Sequence, residues 1–211
     1  MAIIYDEAAL IANVKGAEAA APSLAGWSSG TTAKMDGAND EDDPDKVVDK
    51  ILNLVAKMKA KKVKTRDMVL VIEPILESIL IKATYLNRLN DGGESSVAEY
   101  TLSNIAGLRV IVSTELPQEA RSLALGNQHQ LNSINNKTDF DVTADQALLL
   151  CSIVTKDSFL AATSVALQSL IHYDPMSLSN YIDSFTSYNI SYDRPDLNAA
   201  LFSSAYAGTI Q

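Results

Sequence analysis

Asn104-Ile105-Ala106-Gly107-Leu108-Arg109-Val110-Ile111-Val112-Ser113-Thr114-Glu115-Leu116-Pro117 reads as one β-strand, entered through a glycine and stopped by a proline. Val110, Ile111 and Val112 are β-branched, stiff about χ1 and suited to a pleated, half-buried surface. Pro117 lacks the N–H that would continue a ladder. Upstream, Met68-Val69-Leu70-Val71-Ile72 is an apolar run too short for a helix and reads as a buried strand. Pro74 then opens a helix with Ile75, Leu76, Ile79, Leu80 and Ala83 facing inward, and Asn90-Asp91-Gly92-Gly93 is a turn. Before that strand, Asp43 is placed to cap a helix with Pro44 at its first position, and Val47, Val48, Ile51, Leu52, Leu54, Val55 and Met58 repeat at helical spacing. Residues 44 to 117 therefore run helix, strand, helix, turn, strand, which is an α/β layer.

Outward from this block the pattern changes. Ile3 to Ala21 reads as a helix with Ile3, Ile4, Ala8, Leu10, Ile11 and Val14 near one side, stopped by Pro22. Ser23 to Asn39 has the Ser, Gly, Thr and Ala content of a loop or extended arm. Gln118 to Ala144 is polar and aperiodic, a long loop or exposed ribbon. Beyond it Ala147 to Val154 is a buried strand, Ser164 to His172 is β-compatible, and Asn180 to Tyr192 is a long extended run bearing Tyr181, Phe185, Tyr188 and Tyr192. Asp193-Arg194-Pro195-Asp196 punctuates it before a last apolar segment, Leu197 to Ala205.

Composition bounds the function. With 211 residues, 47% apolar and 20% charged, the chain is long enough for a real core. No window suits a membrane span, and the acidic start, Asp6-Glu7, does not suit a secretory signal. A net charge of -9 opposes holding nucleic acid by neutralising phosphates. Cys151 is the only cysteine, so it has no disulfide partner within the chain, and it sits in Leu-Leu-Leu-Cys-Ser-Ile-Val as a buried, inert thiol.

Candidates for chemistry are few. Asp36, Asp40, Glu41, Asp42, Asp43 and Asp45 lack the alternating ligands of a calcium loop and read as a solvated helix start favoured by the dipole. Lys57, Lys59, Lys61, Lys62 and Lys64 crowd the other end of the same helix, where cations complement the dipole. Trp27 reads as an anchor docked on an apolar patch, with no Arg or Lys beside it in sequence. His129 is expected to be exposed in a polar loop, and His172 to be a hydrogen-bonded structural residue. No nucleophile elbow, phosphate loop or dinucleotide fingerprint is present. The expectation is no catalytic residue, no cofactor-binding residue, no metal site and no enzyme.

The order of these elements resembles the HK97-fold major capsid proteins of phages, in the short-tailed, T7-like branch. Three stretches carry the likeness over most of residues 44 to 205. Val47 to Pro74 is similar to the helix, basic linker and central strand of the family's axial domain. Ala83 to Pro117, with Asn87-Arg88, Gly92-Gly93 and the Ile-Ala-Gly strand, is similar to the segment that follows. Leu148 to Leu201 holds Asp157-Ser158-Phe159 at a family turn and Arg194-Pro195 before the last axial strand.

The resemblance implies an α+β fold with an axial α/β domain and a peripheral β-ribbon plus helix. Residues 1–22 would be the end of the spine helix, 23–163 the axial domain, 164–192 the peripheral strands and 193–211 the C-terminal axial strand. It implies a structural subunit of an icosahedral shell enclosing packaged DNA, held without sequence specificity, assembled in the host cytoplasm and found in the virion. Its partners would be identical subunits, contacted in part through the loop 118–144, with scaffolding, portal or decoration proteins and no membrane. Family members carry an N-terminal arm, an extended loop and a long spine helix before the matched region. Either the chain is cut there or a second chain supplies those parts, since helix 3–21 would otherwise leave an apolar face uncovered. The alternatives are an encapsulin-like compartment, a minor head protein, or a small soluble interaction module.

Overall fold

The structure, a computed structural model, describes residues 6–21, 27–83, 102, 104–130, 132, 138–155, 157–174, 176 and 179–211. The turn expected at Asn90–Gly93 and the apolar Ile3 and Ile4 lie outside them. The described chain runs α1 (Glu7–Glu18), β1 (Thr31–Lys34), α2 (Pro44–Ala60), β2 (Met68–Ile72), α3 (Pro74–Leu80), β3 (Asn104–Ile105), β4 (Leu108–Val112), β5 (Leu149–Thr155), β6 (Phe159–Asp174), β7 (Ser179–Tyr192) and β8 (Ala199–Phe202). Among the described residues six strands form one mixed sheet in the order β1-β8-β5-β2-β4-β3, while β6 and β7 pair only with each other.

The apolar run of β2 is explained by burial on both faces. Leu70 and Ile72 point to one side, with Ile51, Leu54 and Met58 of α2 and Leu76 and Leu80 of α3. Val71 points to the other, with Leu10, Val14 and Ala17 of α1. A strand covered twice needs apolar residues at every position. β8 alternates in the same way, Leu201 toward α2 and Phe202 toward α1, where Phe202 stacks on Tyr206 with ring centroids 4.0 Å apart. α2 begins as expected, with the Asp43 side chain accepting from the Asp45 N–H and Pro44 in the first turn. Two residues expected inward are not. Leu52 and Ile75 are 36% and 66% exposed, because each lies off the stripe that faces the sheet.

The stretch 104–117 is two strands rather than one. Ala106 and Gly107, with φ of 54° and 79°, make a two-residue turn that pairs Ile105 with Leu108 and Asn104 with Arg109. Positive φ at both central residues is the hairpin turn whose twist matches that of the strands. β4 then runs parallel to β2 and ends at Val112, well before Pro117. Alanine in the left-handed region is strained where asparagine is tolerated. Ala106→Asn should therefore raise stability by about 0.5–1 kcal/mol in denaturant unfolding.

Helix α1 is shorter than the expected 3–21 and is buried nearly all round. Leu10, Val14 and Ala17 lie on the sheet, whereas Ala8, Ala9, Ile11 and Ala12 pack with Phe140, Val142 and Ile190. Over its described residues the apolar face of α1 is thus covered by this chain itself, while Ile3 and Ile4 lie outside them. A buried Asn13 sits among these contacts, donating to the Ser152 hydroxyl of β5 and, at 3.4 Å, to the Ile153 carbonyl. The helix ends when Ala19 turns extended and its carbonyl accepts from the Gly30 N–H at 3.0 Å.

Candidate assembly surface

Strands β6 and β7 form an antiparallel ribbon of 16 and 14 residues. At 3.3 Å per residue the longer strand spans about 50 Å. β6 runs without a break through residues 163 and 164, with a register shift between Thr163 and Val165. Its base is anchored: Phe159 and Ile190 pack against the α1 layer. The remainder carries apolar side chains in water. Leu170 and Ile171 are consecutive and therefore point to opposite faces, yet they are 48% and 73% exposed. Ile171 lies across from Ile182, itself 69% exposed, and Leu160 and Tyr173 are exposed as well. Beyond its base, among the described residues, the ribbon has no third strand and no covering helix, and such a pair is at best marginally stable in water. Apolar residues on both of its faces are what a partner surface would bury.

The two ends of α2 carry opposite charge. At its N-terminal end most of the acidic run is bound within the chain. Asp36 pairs with Lys50 at 2.8 Å and Asp40 with Lys46 at 2.5 Å. Glu41 accepts from the Ser204 N–H and the Ser203 and Ser204 hydroxyls at 2.8, 2.7 and 2.8 Å, fastening the helix start to the end of β8. Burial works to raise the Glu41 pKa, but these three donors outweigh it and hold the carboxyl below its ordinary value. At the other end, two of the lysines do more than complement the dipole. Lys57 donates to the Thr32 and Gln211 carbonyls at 3.4 and 3.2 Å. Lys61 reaches the Ser29 and Gly30 carbonyls and the Thr31 hydroxyl at 2.8, 2.7 and 2.6 Å, so it stitches the approach to β1 onto α2.

Other sequence candidates fall in separate places. Trp27 gains a cation that its sequence neighbours lack, since the Arg194 guanidinium lies 5.6 Å from its ring centroid. Arg194 also grips the buried Asp196 through both carboxylate oxygens, at 3.2 and 2.5 Å. His129 is not exposed as expected. Its side chain is 11% accessible, tilted against Phe140 and 3.4 Å from Glu7, which also accepts from Arg121. His172 lies exposed on the ribbon. The polar stretch 118–144 is not wholly a solvent loop: Arg121 bridges to Val142, and Phe140 and Val142 are buried. Among the described residues, no three His, Cys, Asp or Glu side chains converge where a metal could be held, and no helix is long and apolar enough to cross a membrane.

Cys151 sits in β5 at 2% exposure, and burial pushes its thiol up to about 12. Only the thiolate attacks electrophiles. The native protein at pH 8 should therefore react with a thiol reagent more than about a thousandfold slower than the same chain in denaturant, followed by colour release.

No family model and no curated protein matches the sequence. Solved structures do. A chain from the mature capsid of bacteriophage PhiM1 superposes with a TM-score of 0.78 at 22% identity, covering 97% of this chain and 61% of its own. A chain from the capsid of cyanophage P-SCSP1u gives 0.78 at 15% identity, covering 96% and 62%. A chain from Mycobacterium phage Che8 gives 0.59 at 14%, covering 99% and 60%. This chain thus spans about three fifths of the length of each of them. The sheet with helices on both faces, the buried α1 and the projecting ribbon together are the HK97-like fold of bacteriophage capsid subunits.

Proposed function

We propose that this chain is a structural, non-enzymatic subunit of an icosahedral shell, found in the virion and enclosing packaged DNA without reading its sequence. The observation that carries this is the ribbon, whose Leu170, Ile171 and Ile182 expose apolar side chains on both faces beyond its anchored base. Identical copies bury such surfaces repeatedly, and closed symmetry multiplies a modest interface into a stable particle. The six-stranded sheet, with residues 23–163 and the terminal 193–211, forms the axial domain around the symmetry axes. Residues 1–22 and the strands 164–192 form the peripheral domain that reaches neighbours. The shell assembles in the host cytoplasm, where the lone thiol of Cys151 stays reduced. Scaffolding, portal or decoration proteins join identical subunits as partners.

Electron microscopy of particles isolated from the native source tests the reading. A closed lattice with this chain at a fixed copy number per capsomer is the expected result. If the chain instead purifies as a small discrete oligomer absent from any lattice, the reading is wrong.

A further inference from the structure

The C-terminal end of α2 opens on a cleft of about 220 Å³ bordered by Lys61, Lys62, Lys64 and Arg194, with Asp67 and Asp157 between them. Even with the Asp196 that Arg194 grips, four cations to three acids leave a basic patch on a chain of net charge -9. Lys61 and Arg194 are held in place by the carbonyls near β1 and by Asp196. Lys62 and Lys64 are exposed and carry no ion pair among the described residues. Lys62 also occupies a costly position. Its φ is 67°, and the Val63 N–H behind it closes onto the Met58 carbonyl at 3.2 Å. This is the left-handed residue just past a helix, where glycine is favoured and a lysine is strained.

At the other end of the same helix, Asp42, Asp45 and Asp49 are exposed, and Lys46 and Lys50 lie among them. The two ends are about 25 Å apart at 1.5 Å per residue. We infer that the basic cleft of one copy receives the acidic helix start of a second copy, Asp42 and Asp49 meeting Lys62 and Lys64 in a head-to-tail contact. This rests on the shell reading and adds to it which surfaces meet around a symmetry axis. Different patches on one molecule make a heterologous interface, which closes into a ring when the rotation permits. The mixture of signs favours protein over nucleic acid as the occupant. The helix start of the incoming copy carries both signs, its Lys46 and Lys50 being held by its own Asp40 and Asp36, whereas a phosphate backbone would set only like charge against Asp67 and Asp157.

The test is particle yield in cells producing the native particle, with every accompanying chain present and wild type as control. Lys62→Glu with Lys64→Glu, and separately Asp42→Lys with Asp49→Lys, should each cut the yield of closed particles at least about tenfold. Both reversals in one chain should restore it to within about twofold of wild type. Lys62→Gly separates assembly from folding: it should raise the melting temperature of the subunit by relieving the left-handed strain, yet lower particle yield. Wild-type yield from both reversed pairs, or failure of the combined chain to recover while its subunit still folds, overturns the contact. Normal particle yield with less retained DNA in the lysine variants would make the cleft a nucleic-acid surface instead. If wild type itself builds no lattice, it is the shell reading that fails.

Discussion

Gly30→Ala is expected to destabilise the subunit by at least about 3 kcal/mol, near the top of the range for overpacking. For a chain of this size that lowers the melting temperature by about 6–12 °C. The reason lies in how the chain crosses α1. After Ala19 turns extended, the segment leading into β1 runs back over the end of the helix, with the Gly30 N–H bonded to Ala19 and the Gly30 carbonyl held by Lys61. A β-carbon at Gly30 would stand 2.2 Å from the Ala17 carbonyl oxygen and 2.3 Å from that of Gly16. Those atoms are helix backbone, so no rotamer change relieves the clash; either the helix end or the crossing strand must move. Moving the strand breaks the pairing of Thr31 with Ala199 and the Lys61 bonds together. Gly126→Ala is the control. Gly126 has φ of 72° but nothing within 4 Å of the added carbon, so only the left-handed penalty of about 1 kcal/mol applies. Thermal unfolding of the three proteins compares them directly. A Gly30→Ala protein melting within about 2 °C of wild type would mean that residues 28–31 do not cross α1 in this way.

The elements legible in the sequence are those whose burial leaves a strong pattern. β2 is apolar at every position because it is covered twice, and α2 has one buried stripe with a cap and a proline in place, so both stand out from a single sequence. The hairpin at 106–107 was hidden because Ala-Gly is not among the dipeptides that announce such a turn, and an alanine at φ 54° is invisible to propensity. α1 reads as one-sided because half of its cover, Phe140, Val142 and Ile190, comes from segments about 130 to 180 residues downstream, which no local window contains. The same holds for Trp27 with Arg194, for Lys61 with the carbonyls of residues 29 and 30, and for His129 with Glu7. The start of the ribbon was missed for a different reason. A strand exposing apolar side chains on both faces has no period-two alternation, so Phe159–Thr163 gives no strand signal although Leu160 is exposed.

That same lack of alternation sets up the second large effect. Ile171→Lys together with Ile182→Glu should abolish particle formation while leaving the subunit folded. Ile171 and Ile182 face each other across the ribbon and are 73% and 69% exposed in the single chain, so the substitutions remove little that the isolated subunit buries. Opposite charges across an antiparallel pair are mildly favourable, which keeps the ribbon paired where two like charges would split it. The cost falls on association. Burying an isoleucine contributes about 1.5–3 kcal/mol, so losing two weakens each contact between copies by about 3–6 kcal/mol before any charge is desolvated. At 1.4 kcal/mol per factor of ten, that is about a hundred- to ten-thousandfold in each contact constant. A shell repeats the contact in every subunit, so assembly should disappear as a threshold, with no intermediate particle sizes. The readouts are sedimentation of the particle fraction and thermal unfolding of the subunit in the same preparation. Normal particles from the double variant would mean that the ribbon meets no neighbour. A collapsed melting curve would mean that it is part of the subunit's own stability, and either result would remove the observation on which the shell reading rests.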